Sequence, residues 1–133
     1  MTRLAVAYVA TAIVFCGLDF IWLGYVAKDY YQAQVGALLL TKPNLPIAAA
    51  FYALYIVGVM IFAVLPALDS GNWSKALVNG ALFGFFAYAT YDLTNLATLK
   101  GWSMGLAMLD LAWGAVVTGV SATAGYLVTR ALG

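Results

Sequence analysis

Long apolar stretches alternate with short polar breaks along the chain. Four stretches stand out, at residues 4–26, 47–65, 76–99 and 104–130. A helix of about 20 apolar residues crosses the hydrocarbon core of a bilayer. The pattern therefore predicts an all-α membrane protein, a four-transmembrane-helix bundle forming one domain over residues 1–133. Pro66 is expected to end the second helix, because proline lacks the N–H that the helix interior needs. Asp69, Ser70, Gly71 and Asn72 read as the turn into the third. Lys100, Gly101, Trp102 and Ser103 read as a tight hairpin, which makes the third and fourth helices antiparallel neighbours. The apolar run after Arg3 is too long for a cleaved leader and is read as a retained helix.

The first connection has another character. Residues 28–46 carry Tyr30, Tyr31, Gln32 and Gln34, then Val35, Leu38, Leu39 and Leu40. This stretch is too short and polar to span. It reads as an amphipathic segment at the interface, closed by Lys42, Pro43 and Pro46. It serves either as a connector or as a lid over whatever lies between the helices.

Composition strengthens the membrane reading. Of 133 residues, 65% are hydrophobic and 8% charged, against about 25% charged in a soluble domain. Mean hydropathy is +0.96. Small domains have too much surface to hide so many apolar side chains from water. Histidine is absent, which removes imidazole metal sites and histidine bases. A single cysteine, Cys16, excludes an internal disulfide and paired-thiol redox chemistry; it reads as a small core residue. A net charge of +1 gives no basic patch, so nucleic acid is not an expected partner. No cofactor motif is present. The lipid bilayer is the partner the composition demands.

Four spans put both termini on one side of the membrane. That side holds Arg3, Lys75 and Arg130, and the loop side holds Lys28, Lys42 and Lys100. Three against three is a tie under the positive-inside rule. Only the free amino group favours cytoplasmic termini.

Glutamate is absent, so the side-chain carboxylates are Asp19, Asp29, Asp69, Asp92 and Asp110. Span direction places Asp19, Asp92 and Asp110 in the same, loop-side leaflet, each roughly 10 Å from its helix end. An aspartate at the centre of a spanning helix costs about 2.5–3.5 kcal/mol. Such groups face a bundle interior or a water-filled cavity. Arg130, at the far end of the fourth stretch, is the nearest basic residue inside a span, so protons, hydrogen bonds, water or a bound cation must compensate the charges. At least one of the three is expected to be protonated at neutral pH, because neighbouring carboxylates in a low dielectric do not both ionise. Each aspartate has a donor-capable side chain three residues on: Trp22, Asn95 and Trp113. Tyr88 and Thr94 lie on or near the Asp92 face. These eight residues, Asp19, Asp92, Asp110, Trp22, Trp113, Asn95, Tyr88 and Thr94, form the candidate site for a ligand or proton. The alternative is a hydrogen-bond network that only fixes helix packing. Tyr8, Tyr52 and Tyr55 have a spacing that fits pocket lining and ordinary packing equally. Gly80-x-x-x-Gly84 and Gly114-x-x-x-Thr118 are spacings that permit close helix approach.

Three segments carry a resemblance: Leu18-Asp19-Phe20-Ile21-Trp22-Leu23-Gly24, Tyr91-Asp92-Leu93-Thr94-Asn95-Leu96-Ala97-Thr98-Leu99, and Asp110-Leu111-Ala112-Trp113-Gly114. With them the chain resembles, over nearly its whole length, a bacterial family of small membrane proteins catalogued as domain of unknown function 2177. The resemblance implies a multi-pass protein of the bacterial inner membrane. It implies no activity and no catalytic residue.

The residues support a proton- or cation-coupled transporter, or a membrane protein that binds a small ligand, with aspartates and tryptophan faces receiving a proton or an organic cation. A membrane-embedded lipid-modifying enzyme using paired carboxylates is a second reading, in which the aspartates could also hold a divalent metal through oxygen. An accessory or assembly subunit with a purely structural polar cluster is a third. A bare four-helix protomer is small for a complete pathway. A homo-oligomer is therefore expected, assembled on the glycine-rich third and fourth helices.

Overall fold

The computed structural model describes residues 2–38 and 44–132, and every regular element within them is helical. Helix α1 runs Thr2–Val26, α2 Lys28–Val35, α3 Leu45–Ser70, α4 Trp73–Thr98 and α5 Met104–Leu132. A single 3-10 turn, Gly36–Leu38, follows α2. Helices α1, α3 and α5 are long and apolar enough to cross a membrane. Helix α4 equals α3 in length at 26 residues, but Lys75, Asn79, Thr90, Asp92, Thr94 and Asn95 dilute its apolar character. Ile13, Phe20, Leu54, Phe86 and Leu132 are each exposed on the outer surface, as lipid-facing positions should be.

The second apolar stretch does not stop at Pro66. Helix α3 passes through a π turn at Met60–Val64 and continues to Ser70. The ring of a proline displaces the carbonyl four residues earlier, here Phe62, and leaves it without its usual donor. The π turn makes room for the ring. Asn79 of α4 replaces the missing donor, its Nδ2 lying 3.1 Å from the Phe62 carbonyl oxygen. A proline that should end the helix is thereby absorbed, and α3 is tied to α4 at that level.

The turns follow local chemistry. Gly71, at φ 69°, ends α3 in the left-handed conformation that disfavours a side chain. Asn72 caps α4, its Oδ1 accepting from the Ser74 N–H at 3.0 Å. Asn44 caps α3 by accepting from Ile47 N–H at 3.2 Å, so Pro46 sits inside the first turn of α3 rather than closing the preceding loop. The expected closing residues Lys42 and Pro43 lie outside the described residues, as do Leu39 and Leu40. Ser103 caps α5 by accepting from Leu106 N–H, and its hydroxyl donates to Gln34 Oε1, which binds α2 to the start of α5.

Glycines set the tightest packing. Helices α4 and α5 make the most extensive helix contact. A Cβ on Gly80 would lie 2.9 Å from both the Ala122 Cβ and the Thr118 carbonyl oxygen. The two small-residue faces thus meet each other within one chain. They are buried there against each other. Helix α1 packs on α5 through Ala7 and Thr11 against Gly125. Phe15, Ile56, Val59, Val64 and Val117 fill the core between α1, α3 and α5. Cys16 faces outward and is exposed, contrary to its reading as a core residue, because Thr11, Phe15 and Asp19 take the inward face of α1.

The contact between α3 and α4 is uneven. The Met60–Val64 turn packs against α4, whereas Leu45–Val59 makes almost no close backbone approach to it. The two helices diverge toward the loop side, where the aspartates lie.

Candidate functional site

The divergence leaves a cavity of about 460 Å³ among the loop-side halves of the long helices. Helix α1 contributes Asp19 and Leu23, α2 Tyr31, α3 Phe51, Tyr52 and Tyr55, α4 Ala87, Tyr88 and Tyr91, and α5 Asp110. Tyr88 reaches the cavity because residue 114 is glycine: a Cβ there would lie 2.3 Å from the tyrosine Cγ.

Two carboxylates stand in the wall, each braced by neutral donors. Asp19 is buried. Its Oδ2 accepts from the Tyr52 hydroxyl at 2.5 Å and its Oδ1 from the Trp113 indole N–H at 3.1 Å. Asp110 is half-buried, and its Oδ1 accepts from the Tyr31 hydroxyl at 2.5 Å. The Tyr31 oxygen in turn accepts from the Trp22 indole N–H at 3.1 Å. The indoles of Trp22 and Trp113 stack with centroids 4.4 Å apart and planes 7° from parallel. Trp22 opens a π turn, Trp22–Val26, closed by Ala27 N–H on the Trp22 carbonyl at 2.7 Å. The stack joins the Asp19 and Asp110 clusters into one network. Charge-assisted bonds of this kind are short and strong. Burial, and then the bond to Asp110, push the Tyr31 phenol far above its ordinary pKa, so it remains a donor at any physiological pH.

Asp92 sits behind this wall. It is fully buried and does not line the cavity. Among the described residues neither of its oxygens has a hydrogen-bond partner, and the buried Trp102 indole N–H also lacks one. Asp110 and Trp102 are the polar groups close enough to act on it. A buried polar atom left unpaired costs about 1–3 kcal/mol, and more when charged. Asp92 is therefore a costly side chain to bury. Among the described residues no three carboxylates or thiolates converge into a metal-ligand set.

A family model for a predicted membrane protein, DUF2177, matches residues 4–127. The chain belongs to the DUF2177 family. Neither a curated protein nor a solved structure matches it. Every aspartate, tyrosine and tryptophan of the network lies within the matched span.

The network in this DUF2177 protein is wired across helices, not along them. Trp113 serves Asp19 rather than Asp110, and Trp22 serves Tyr31 rather than Asp19. Tyr88 lines the cavity. Asn95 is half-buried and Thr94 exposed, and neither lines it. The Thr94 carbonyl instead accepts from the Thr98 hydroxyl at 2.8 Å. Of the tyrosines whose spacing fits pocket lining, Tyr52 and Tyr55 line the cavity and Tyr8 does not, but nothing in the sequence pairs Tyr31 or Tyr52 with an aspartate. Their partners lie 79 and 33 residues away. Tyr55 bonds the Thr118 hydroxyl at 2.9 Å and stands in the cavity floor.

Proposed function

We propose that this DUF2177 protein is a four-span protein of the bacterial inner membrane that binds a small cationic ligand, in exchange with protons, at Asp19 and Asp110. In this reading α4 is the fourth span, α2 lies at the interface above the cavity, and both termini face the cytoplasm. The observation that carries the reading is the cavity wall itself. Two carboxylates, oriented by phenol and indole donors, face a space that the described residues otherwise line with aromatic and aliphatic side chains and with no basic group. A carboxylate accepts up to about four hydrogen bonds, and these two use only part of that capacity. Aromatic faces add attraction for an organic ammonium group, worth about 2 kcal/mol when desolvated. Asp92, next to Asp110 and without a donor, is the group that exchanges a proton as the ligand's charge arrives or leaves. The exchange suits proton- or cation-coupled transport.

Catalysis by paired carboxylates is less well supported. Asp92, the carboxylate beside Asp110, is walled off from the cavity, so those two cannot act together on a substrate.

Tryptophan fluorescence of the purified protein tests the reading, because the Trp22–Trp113 stack adjoins both aspartates. Titration with tetramethylammonium should give a saturable change that weakens as pH falls. Asp19→Asn should weaken the apparent affinity by at least about tenfold, the equivalent of one charge-assisted interaction. A flat response in wild type, or the same titration in Asp19→Asn, would overturn the proposal.

A further inference from the structure

The geometry points to a ligand that is itself a membrane amphiphile: a single-chain lipid with an amine headgroup, admitted sideways from the bilayer between α3 and α4. This deepens the cationic-ligand reading above and rests on it. The lateral opening comes first. Leu45–Val59 stands away from α4 while the π turn below it is held, so the gap is built into the path of α3. Phe51 of α3 and Tyr91 of α4 both line the cavity, yet are 52% and 56% exposed on the outer surface. Residues that belong at once to the cavity and to the lipid-facing surface mark its mouth.

The gap has a floor. Phe83 packs directly onto Gly58, where a Cβ would lie 2.7 Å from its ring, and stacks on Phe62 at a centroid distance of 5.6 Å. On the loop side Tyr31 of α2 covers Asp110. The described walls therefore leave the side facing lipid as the broad way in.

Polarity runs along that entrance. Asp19 is buried at the back, and Phe51 and Tyr91 lie at the exposed mouth. An amphiphile entering head first matches this order, with its chain resting in the gap and continuing into the bilayer. The sign of the headgroup follows from the lining, which among the described residues offers carboxylates and no lysine or arginine. A phosphate or carboxylate head would meet like charge; an amine would meet opposite charge and aromatic faces. A volume of about 460 Å³ falls within the range of pockets that enclose small molecules, and suits a headgroup with the first part of one chain.

The test uses the full chain in a neutral maltoside detergent, with dodecylamine, propylamine and dodecanoate as probes of tryptophan fluorescence. Dodecylamine should bind at least about a hundredfold more tightly than propylamine, because its chain is buried as well. Ala87→Phe, which fills part of the cavity along the chain's path, should remove most of that advantage, read as the ratio of the two amine affinities. Should that variant fail to fold, a dodecylamine with a diazirine in its chain serves instead, and should label the wild-type peptides holding Phe51 and Tyr91. Equal affinity for the two amines, or labelling spread evenly over the outer surface, would overturn the lateral amphiphile and leave a small soluble cation as ligand. Dodecanoate binding as tightly as dodecylamine would overturn the amine headgroup. Silence from both amines would instead refute the cationic site on which the inference rests.

Discussion

Asp92→Asn is expected to stabilise the protein while abolishing the pH dependence of ligand binding. The carboxyl is fully buried with both oxygens unpaired. Asparagine has nearly the same shape, so the packing survives. Its amide N–H groups would supply donors toward Asp110, and its oxygen an acceptor toward the Trp102 indole, which lacks one. Satisfying two buried groups should raise unfolding stability by about 1–2 kcal/mol. The same change removes the carboxyl that takes up and releases the proton in the proposed exchange. A residue that costs stability and gains nothing in packing is what a functional site retains. Thermal unfolding in mild detergent, paired with the tetramethylammonium titration at several pH values, checks both halves. A less stable variant would show that Asp92 serves packing, and an unchanged pH dependence would remove it from the proton exchange.

Gly84→Leu should have the largest effect of opposite sign. A Cβ at residue 84 would lie 2.1 Å from the Gly114 carbonyl oxygen and 2.6 Å from Thr118 Oγ1. The first of these is backbone, which a rotamer change does not relieve. Helices α4 and α5 would have to separate along their most extensive contact. Overpacking of this kind costs about 3 kcal/mol or more, enough to remove most of the folded population of a small protein. Gly17→Leu provides the control, because nothing lies within 4 Å of a Cβ there. It should unfold like wild type. Equal stability of the two variants would mean that α4 and α5 do not pack in this register.

Much of this arrangement is legible along the chain, and the boundary of legibility has a physical cause. Helical rise converts residue number into position along a helix, so Asp19, Asp92 and Asp110 are expected near one end of the helices from chain direction alone, and that is where the structure brings them together. Rotation about the helix axis is another matter. Helices apolar on nearly all sides carry no stripe to say which face is inward. Cys16 is therefore misread as core, and Trp113 is matched to the aspartate on its own helix when its indole reaches across to Asp19. The bonds of Tyr31 and Tyr52 to the aspartates are hidden for the same reason, since only the packed helices bring these phenols to the carboxylates. Pro66 fails as a stop signal because its compensation, Asn79, lies on another helix. Close-packing glycines are recognisable by spacing, but spacing does not say whether the partner face is in the same chain. Here it is.

The Trp22–Trp113 stack has a consequence for how the molecule can be watched. Two indoles 4.4 Å apart and nearly parallel are close enough for their electronic transitions to couple, which should give a paired positive and negative band in circular dichroism. One ring belongs to α1 and the other to α5. The amplitude of that couplet thus acts as an internal ruler between the two helices, native to the chain and free of any attached label. Removing either ring should erase the couplet, and any rearrangement that draws α1 from α5 should diminish it in real time.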